Sequence, residues 1–448
     1  MLDVSKGVDK MKKSAKWAAI GGAAGIAAAW YAYRSKKDGK SINPMRRLFP
    51  IFTMPEPTGH YAVGMFEAHL IDHNRQETRR GTLSQGAGSR EVAVTVWYPA
   101  DRNLKPEAAA LTGSPGAAVE PEHYPDSLGK CISLVFGLPS GLFRHLSKIQ
   151  THAFRDLPLA AEEAPYPVLL FSPGIRSTRY QNLTMIEELV SRGYIVVGMD
   201  HPYTAGTMRL ADGQDALYIH EPKFAESREL YDYNVKEVGV RALDARFVLD
   251  TLEKWNQTDS GHLLAGRMDL SRTGIVGHSY GGATAAEALA TDDRLAAALS
   301  LEGGFWGEVS HKPLEKPFMY LFTGGTERSL DPNQSRKEAV FFEEWQEDVE
   351  RVMTSSRHDT FFAVVEPFFH QSFSDLPLVS PRLFARSLTP ERAIDITRTY
   401  AVAFFDQYLR GKEASMIGQN TAEFPEVRYD DKYTQIRSSE AKRSERVD

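Results

Sequence analysis

The sequence predicts an α/β fold with a mostly parallel central sheet and helices on both faces. Continuous apolar runs at 166–171 and 194–199 are typical of parallel strands, which are buried on both sides and therefore lack a polar face. A helix predicted over 183–192 joins these strands, and strand, helix and strand in succession form a parallel unit with a right-handed crossover. The chain has 448 residues, of which 42% are hydrophobic, and this is enough for a large core.

Further elements extend this pattern along the chain. Residues 91–99 carry valine at alternate positions and predict an early strand, whereas residues 232–255 have apolar side chains at helical spacing and predict a long helix. Two more strands are predicted at 295–301 and 318–322. Each strand end is a place where functional side chains can project.

Two segments near 104–160 and 203–232 interrupt the alternation of strands and helices, and we interpret them as cap-like insertions. The first contains an apolar stretch at 132–146 that is broken by glycine and proline. We expect this stretch to cover the core rather than to face lipid.

Ser279 lies in the pentapeptide Gly277-His278-Ser279-Tyr280-Gly281, between an apolar strand and an alanine-rich helix. So tight a turn leaves no room for side chains at the two glycine positions, and it strains the serine backbone. A serine on such a strand-to-helix turn is the nucleophile elbow of the α/β-hydrolase fold. The sequence therefore predicts an α/β-hydrolase with Ser279 as nucleophile, the alternative being an incidental glycine-rich turn.

A serine hydroxyl needs a histidine base, and in this fold the histidine follows the serine and the acid in the chain. Three of the thirteen histidines follow the elbow, namely His311, His358 and His370. His370 is the best placed, because it comes just after the apolar run at 361–365. Asp200-His201 also ends a strand, but it precedes the elbow, so we interpret it as a turn at the edge of the pocket.

The acid has three candidates that sequence spacing does not separate. Glu302 ends the strand that follows the elbow, and Glu327 and Asp331 follow the next strand. The oxyanion that forms during ester hydrolysis also needs backbone N–H donors, and one of them is expected from Tyr280, directly after the nucleophile.

Three segments carry a more specific resemblance: residues 277–282, Ser300-Leu301-Glu302-Gly303, and His370-Gln371-Ser372-Phe373-Ser374-Asp375. Together they resemble the plasma-type platelet-activating factor acetylhydrolase family of α/β-hydrolases, over roughly residues 55 to 410. The resemblance implies that Glu302 is the acid, although the family usually has aspartate there. It also implies that Ile175 is the second oxyanion donor, next to Pro173, where the family often has histidine.

The function that the resemblance implies is metal-independent and cofactor-free hydrolysis of esters through an acyl-enzyme. The expected substrates are phospholipids with short or oxidised sn-2 acyl chains. Short-chain carboxylesters, polyesters and a non-catalytic, membrane-anchored binding protein of the same fold are the alternatives. The net charge of -6 argues against nucleic acid as a partner, and the single cysteine, Cys131, excludes an intramolecular disulfide and is expected to be buried and inert.

The ends of the chain differ from its centre. Residues 1–16 are basic, and residues 17–33 form an uncharged stretch of about 25 Å as a helix, with tryptophan and tyrosine near its ends. We interpret this stretch as a membrane anchor whose orientation is open, the alternatives being a cleaved signal peptide or a leader of a soluble protein. A linker at 34–54, the hydrolase domain at 55–425 and a charged, disordered tail at 426–448 complete the expected organisation.

Overall fold

The computed structural model describes residues 49–78, 88–102, 120–160, 165–258, 261–324, 336–385 and 387–437. The strands are β1 (Ala62–Gln76), β2 (Ser89–Ala100), β3 (Ala153–Arg155), β4 (Tyr166–Ser172), β5 (Ile195–Asp200), β6 (Thr207–Arg209), β7 (Asp215–Leu217), β8 (Met268–His278), β9 (Leu295–Leu301), β10 (Phe318–Thr323), β11 (Thr360–Val365) and β12 (Val427–Tyr429). The α-helices are α1 (Asp126–Phe136), α2 (Leu183–Ser191), α3 (Ser227–Asn256), α4 (Tyr280–Thr291), α5 (Arg336–Ser355), α6 (Leu376–Val379), α7 (Pro381–Phe384) and α8 (Pro390–Arg410).

A ten-stranded sheet in the order β12-β11-β10-β9-β8-β4-β5-β2-β1-β3 forms the centre of the molecule. The pairs from β5 through β4, β8, β9 and β10 to β11 are parallel. Antiparallel pairing begins on one side with β2 and β1 and on the other with β12. The predicted α/β-hydrolase fold, with a mostly parallel sheet, is confirmed.

Helices bury both faces of this sheet. Along β4, Leu169 and Phe171 belong to one core cluster together with residues of α2 and α8, while Val168 and Leu170 belong to a second cluster with residues of α3 and α4. All four side chains are fully buried. This two-sided burial is the physical reason why the central strands have continuous apolar runs in the sequence.

The cap-like region beside the sheet is built from α1 and two short 3-10 turns. Leu128, Ile132 and Phe136 face the core, where they pack in the same cluster as Phe143. Val135, on the other side of the helix, is 37% exposed. The apolar segment therefore covers the core mainly with one face.

The ends of the chain depart from the expectation at one point. We predicted a disordered tail from residue 426, and this prediction was wrong for the first residues of the tail. Val427–Tyr429 pair with β11, and Val427 and Tyr429 are buried. The predicted anchor at 17–33 lies outside the described residues. Within the described ranges, no helix is both long and apolar enough to cross a lipid bilayer.

Candidate active site

Ser279 lies between β8 and α4 in a strained backbone conformation, with φ 58° and ψ -122°. Two close backbone approaches explain the flanking glycines. A Cβ atom at Gly277 would lie 2.1 Å from the carbonyl oxygen of Gly281, and one at Gly281 would lie 1.9 Å from the carbonyl oxygen of Ser172. The turn can form only because neither position carries a side chain.

The structure brings Ser279, His370 and Glu302 together from three separate segments. The Nε2 atom of His370 lies 2.7 Å from Ser279 Oγ, and its Nδ1 atom lies 2.8 Å from Glu302 Oε2. Because a carboxylate only accepts hydrogen bonds, Nδ1–H donates to Glu302 and Nε2 is left to accept from the serine hydroxyl. This arrangement can take the proton from Ser279 and share the resulting positive charge with a carboxylate.

Glu302 directly follows β9, and its backbone is held in the left-handed region with φ 56°. Its N–H donates to the carbonyl oxygen of Leu321 on the neighbouring strand, and its other carboxylate oxygen accepts from the Thr323 hydroxyl at 2.6 Å. These contacts orient a side chain one carbon longer than aspartate toward His370. The other predicted acids, Glu327 and Asp331, lie outside the described residues.

His278, inside the elbow, is a contact residue that sequence reasoning missed. Its Nε2–H donates to the backbone carbonyl of His370 at 2.7 Å, and its Nδ1 accepts from Gln181 Nε2 at 2.7 Å. Burial, and then the nearby His370, lower the pKa of His278 to about 3, so the ring is neutral. Gln181 Oε1 in turn accepts from the N–H of Gly174 at 2.9 Å.

These hydrogen bonds connect the backbone at Gly174, through Gln181 and His278, to the backbone at His370. In the sequence, only the histidine inside the elbow indicated such a connection, because Gln181 lies in a loop that carries no recognisable motif.

The predicted oxyanion donors, Ile175 and Tyr280, both lie close to Ser279, and Ile175 packs against the small apolar cluster that contains Tyr280. Ile175 lines the cavity that Ser279 opens into, and Tyr280 is the first residue of α4. Arg241 holds both segments, because Nη1 donates to the carbonyl oxygen of Pro173 at 2.8 Å and the guanidinium carbon lies 5.1 Å from the centre of the Tyr280 ring. The amino-terminal end of α4 adds a favourable dipole for negative charge near the serine.

His201 was expected at the edge of the pocket, and this prediction was wrong. The ring is fully buried, with Nε2 3.0 Å from Ser172 Oγ and Nδ1 2.8 Å from Asp244 Oδ2. Arg90 also bonds the Asp244 carboxylate, at 2.6 and 3.0 Å. Although these residues are a serine, a histidine and an aspartate, none of them is accessible, so the group supports the strand ends beneath the elbow.

Two cavities flank Ser279 and His370. The larger, of about 340 Å³, has an apolar wall from α1 and a polar wall from the loop that contains Ile175. The smaller, of about 210 Å³, is lined by Glu302 and by five aromatic side chains, namely Tyr280, Trp306, Tyr320, Phe322 and Trp345. An ester whose carbonyl carbon lies at Ser279 can therefore place its acyl group in one cavity and its alcohol group in the other.

Two other predicted groups can be placed relative to the site. Cys131 lines the larger cavity but is buried, and burial together with the charge of Asp200 raises the pKa of its thiol to about 12. Such a thiol is protonated at neutral pH and is a poor nucleophile. His311 and His358 line neither cavity.

In the part of the chain that the structure describes, no group of three or more potential ligand side chains could hold a metal ion.

Comparison with known proteins finds relatives that are named as esterases or as acetylhydrolases. A probable 1-alkyl-2-acetylglycerophosphocholine esterase of Arthroderma benhamiae is 26% identical over 409 residues, covering 84% of this chain and 93% of that protein. The platelet-activating factor acetylhydrolase of Cavia porcellus is 23% identical over 388 residues, covering 80% of this chain and 78% of that protein. A ferulic acid esterase from Streptomyces cinnamoneus has a similar structure, with a TM-score of 0.62 and 26% identity over 84% of this chain and 98% of that chain.

The family model described as platelet-activating factor acetylhydrolase, isoform II, matches residues 49–424. This range contains the elbow, the strand ends and the loop of His370 described above. It covers most of the chain, in agreement with the resemblance of the three short segments. The chain belongs to the platelet-activating factor acetylhydrolase isoform II family of α/β-hydrolases.

Proposed function

We propose that this chain hydrolyses carboxylic esters through an acyl-enzyme on Ser279. His370 Nε2 accepts the proton as Ser279 Oγ attacks the ester carbonyl carbon, and Glu302 stabilises the imidazolium through Nδ1–H. The backbone N–H groups of Ile175 and Tyr280 stabilise the tetrahedral oxyanion. His370 then protonates the leaving alcohol, and water activated by the same histidine releases the carboxylic acid.

The observation that carries this proposal is the continuous pair of hydrogen bonds from Ser279 Oγ through His370 to Glu302, at the junction of two cavities. A serine held only for structural reasons needs neither a histidine at 2.7 Å nor an opening to solvent. The strained backbone at Ser279 agrees with a functional role, because such strain is otherwise unfavourable.

The proposed substrates are phospholipids with short or oxidised sn-2 acyl chains. Family membership and the names of the relatives support this class. The apolar wall of the larger cavity, formed by α1, is suited to a hydrocarbon chain of the substrate. In such a lipid the acyl group bound to Ser279 is small, while the alcohol carries the long chain and the head group.

A second candidate is the hydrolysis of small aromatic esters. The five aromatic side chains of the smaller cavity favour it, because rings stack well on one another, and Phe322 and Trp345 already stack with centroids 4.7 Å apart. The structural neighbour is named a ferulic acid esterase. Methyl ferulate therefore belongs in the first substrate panel.

The decisive experiment measures hydrolysis of p-nitrophenyl esters from acetyl to dodecanoyl, of methyl ferulate and of a 2-acetyl glycerophosphocholine. Ser279→Ala should abolish all of these activities and labelling by a fluorophosphonate probe. A rate that falls with acyl length supports the short-acyl phospholipid class, whereas long-chain preference indicates a lipase-like pocket. A wild-type protein that hydrolyses no ester and resists the probe is a binding protein instead.

The choice of acid has its own test within this proposal. Glu302→Gln should lower kcat by about 10³- to 10⁴-fold, because the neutral amide cannot stabilise the imidazolium and favours the wrong tautomer. Asp331→Asn is the matched control, and it should leave kcat within a factor of about 2 because Glu302 already bonds Nδ1 of His370. The opposite result would make Asp331 the acid.

The location of the enzyme is the remaining part of the proposal. The uncharged stretch at 17–33 between basic flanks supports an anchor that would hold the site beside lipid substrates. Flotation of the full chain with liposomes, compared with a chain lacking residues 1–40, measures this directly. Equal recovery of both chains away from the lipid would exclude the anchor.

A further inference from the structure

The larger cavity beside Ser279 contains an ion pair that the reaction steps do not use. Arg176 Nη2 lies 3.0 Å from Glu221 Oε2, and both side chains line the cavity. Their side chains are 29% and 25% exposed, so each is partly shielded but reachable from solvent. The other carboxylate that lines this cavity, Asp375, is buried and bonded to Tyr124 and Thr184, which leaves Arg176 and Glu221 as the accessible charges.

Arg176 is held in place by its backbone and by an aromatic ring. It directly follows Ile175, has φ 63°, and donates its N–H to the carbonyl oxygen of Thr204 at 2.8 Å. Its guanidinium carbon lies 4.8 Å from the centre of the Tyr218 ring. A guanidinium has five N–H donors, so a bond to Glu221 leaves donors for a second anion.

Glu221 is charged at neutral pH. Burial alone would raise the pKa of its carboxyl, but the neighbouring Tyr218 hydroxyl and the charge of Arg176 outweigh burial and hold the pKa below its ordinary value. The ion pair therefore presents a positive and a negative group side by side and has no net charge of its own. Glu221 would repel an isolated anion, and Arg176 would repel an isolated cation. A zwitterion can instead align its dipole antiparallel to the dipole of the ion pair, so that both of its charges are attracted.

We propose that Arg176 and Glu221 form a head-group subsite for esters whose alcohol carries a phosphate next to a quaternary ammonium. Arg176 binds the phosphate and Glu221 binds the ammonium, while the apolar side chains of α1 contact the alkyl chain of the same alcohol. The proximity of Arg176 to the oxyanion donor Ile175 suits a phosphate on the carbon adjacent to the ester-bearing one. This inference rests on the proposed function, since it concerns which ester Ser279 attacks.

The test compares a 1-alkyl-2-acetylglycerophosphocholine with the corresponding 1-alkyl-2-acetylglycerol, which lacks both charges. In Arg176→Gln and in Glu221→Gln, the ratio of kcat/KM for the charged ester to that for the uncharged ester should fall by about 10- to 100-fold. The first variant loses a charge-assisted hydrogen bond to the phosphate, and the second loses the electrostatic attraction of a carboxylate for the quaternary ammonium. The loss should appear mainly in KM. Arg357→Gln is the matched control, because Arg357 forms an exposed ion pair with Glu315 at 2.9 Å outside the cavity, and it should leave the ratio unchanged.

An exchange of the two charges separates binding from a structural role. The double variant Arg176→Glu with Glu221→Arg keeps an ion pair but reverses its dipole. If the pair binds the zwitterion, the double variant should discriminate against the phosphocholine ester as strongly as the single variants. If it restores the wild-type ratio, or if the single variants lower hydrolysis of both esters equally, the pair is structural and the subsite is wrong.

A binding measurement keeps this inference distinct from the proposed function. In the Ser279→Ala background, calorimetric titration with the phosphocholine ester should show affinity that Arg176→Gln reduces by about 10-fold or more. Unreduced affinity would overturn the subsite even if ester hydrolysis is established. Conversely, reduced affinity in a protein that hydrolyses no ester would overturn the proposed function and leave the subsite standing.

Discussion

At the residue scale, His278 serves two neighbours at once. Its ring accepts a hydrogen bond from Gln181 and donates one to the backbone of His370, and Gln181 also holds the N–H of Gly174. A Cβ atom at Gly174 would lie 3.4 Å from the Cβ of Ser279, so this backbone passes directly beside the proposed nucleophile. The chain of contacts therefore positions the loop of Gly174 and Ile175, which we propose to bind the oxyanion, relative to the loop of His370.

We predict that Gln181→Leu lowers kcat by about 10- to 100-fold with little change in KM, because a displacement of the oxyanion loop by about 1 Å costs rate rather than ground-state binding. Steady-state kinetics on p-nitrophenyl acetate measures both constants. Gln181→Glu keeps an acceptor for Gly174 but loses the donor to His278 Nδ1 and buries a charge, so its kcat should fall as well. Equal kcat in all three proteins would show that the loop needs no such support.

At the element scale, the strand-to-helix turn between β8 and α4 packs backbone against backbone. Gly281 lies against the carbonyl group of Ser172 at the end of β4, and that strand end is in turn supported by His201 through the Ser172 hydroxyl. The elbow is therefore fixed by the neighbouring strand as much as by its own residues. The addition of a single methyl group at Gly281 should therefore displace the backbone of the whole turn.

We predict that Gly281→Ala destabilises the protein by about 3 kcal/mol and inactivates it, because backbone atoms at 1.9 Å cannot be accommodated by a side-chain rotation. Urea unfolding monitored by tryptophan fluorescence measures the change. Gly239→Ala in α3 is the control, since a Cβ there meets nothing within 4 Å, and this helix substitution should stabilise by about 0.5–1 kcal/mol. A destabilised control would indicate that α3 tolerates no change at that position.

At the scale of the whole molecule, a cluster of buried polar side chains connects the central sheet to α3 through hydrogen bonds. His201, Asp244 and Arg90 are all buried, and Arg241 of the same helix bonds Pro173 above them. Burial, followed by the charge of Arg241, lowers the pKa of His201 to about 4. The folded protein therefore keeps this ring neutral over a pH range in which the unfolded chain protonates it.

This difference predicts how stability depends on pH. Between the ordinary histidine value of 6.5 and about 4, the unfolded chain binds the proton and the folded protein does not, so stability is lost as the pH falls. Asp375, whose pKa burial raises to about 6, acts in the opposite direction.

To isolate the contribution of His201, we compare the wild type with His201→Asn, which cannot be protonated. From pH 7 to pH 5 the wild type should lose about 2 kcal/mol more unfolding free energy than the variant. Urea unfolding at both pH values measures the two differences. Identical differences would show that His201 is accessible to protons in the folded state.

Local chemistry explains how much of this protein could be predicted from its sequence. Two-sided burial requires continuous apolar strands, and a tight elbow requires glycines, so the parallel sheet and Ser279 were visible as patterns of neighbouring residues. The pairing of β12 was not, because three residues within a charged segment carry too weak a pattern to distinguish a strand from a tail.

Only the tertiary structure decided the contacts between distant segments. Glu302 and His370 are 68 residues apart, and sequence spacing did not separate Glu302 from two rival carboxylates until its 2.8 Å contact with the imidazole was known. The burial of His201, the contacts of Gln181 and the pairing of Arg176 with Glu221 likewise depend on how loops meet above the sheet. Sequence patterns reflect the local requirements of strands, turns and helices, because these depend on neighbouring residues. Contacts between distant loops depend instead on how the whole chain packs.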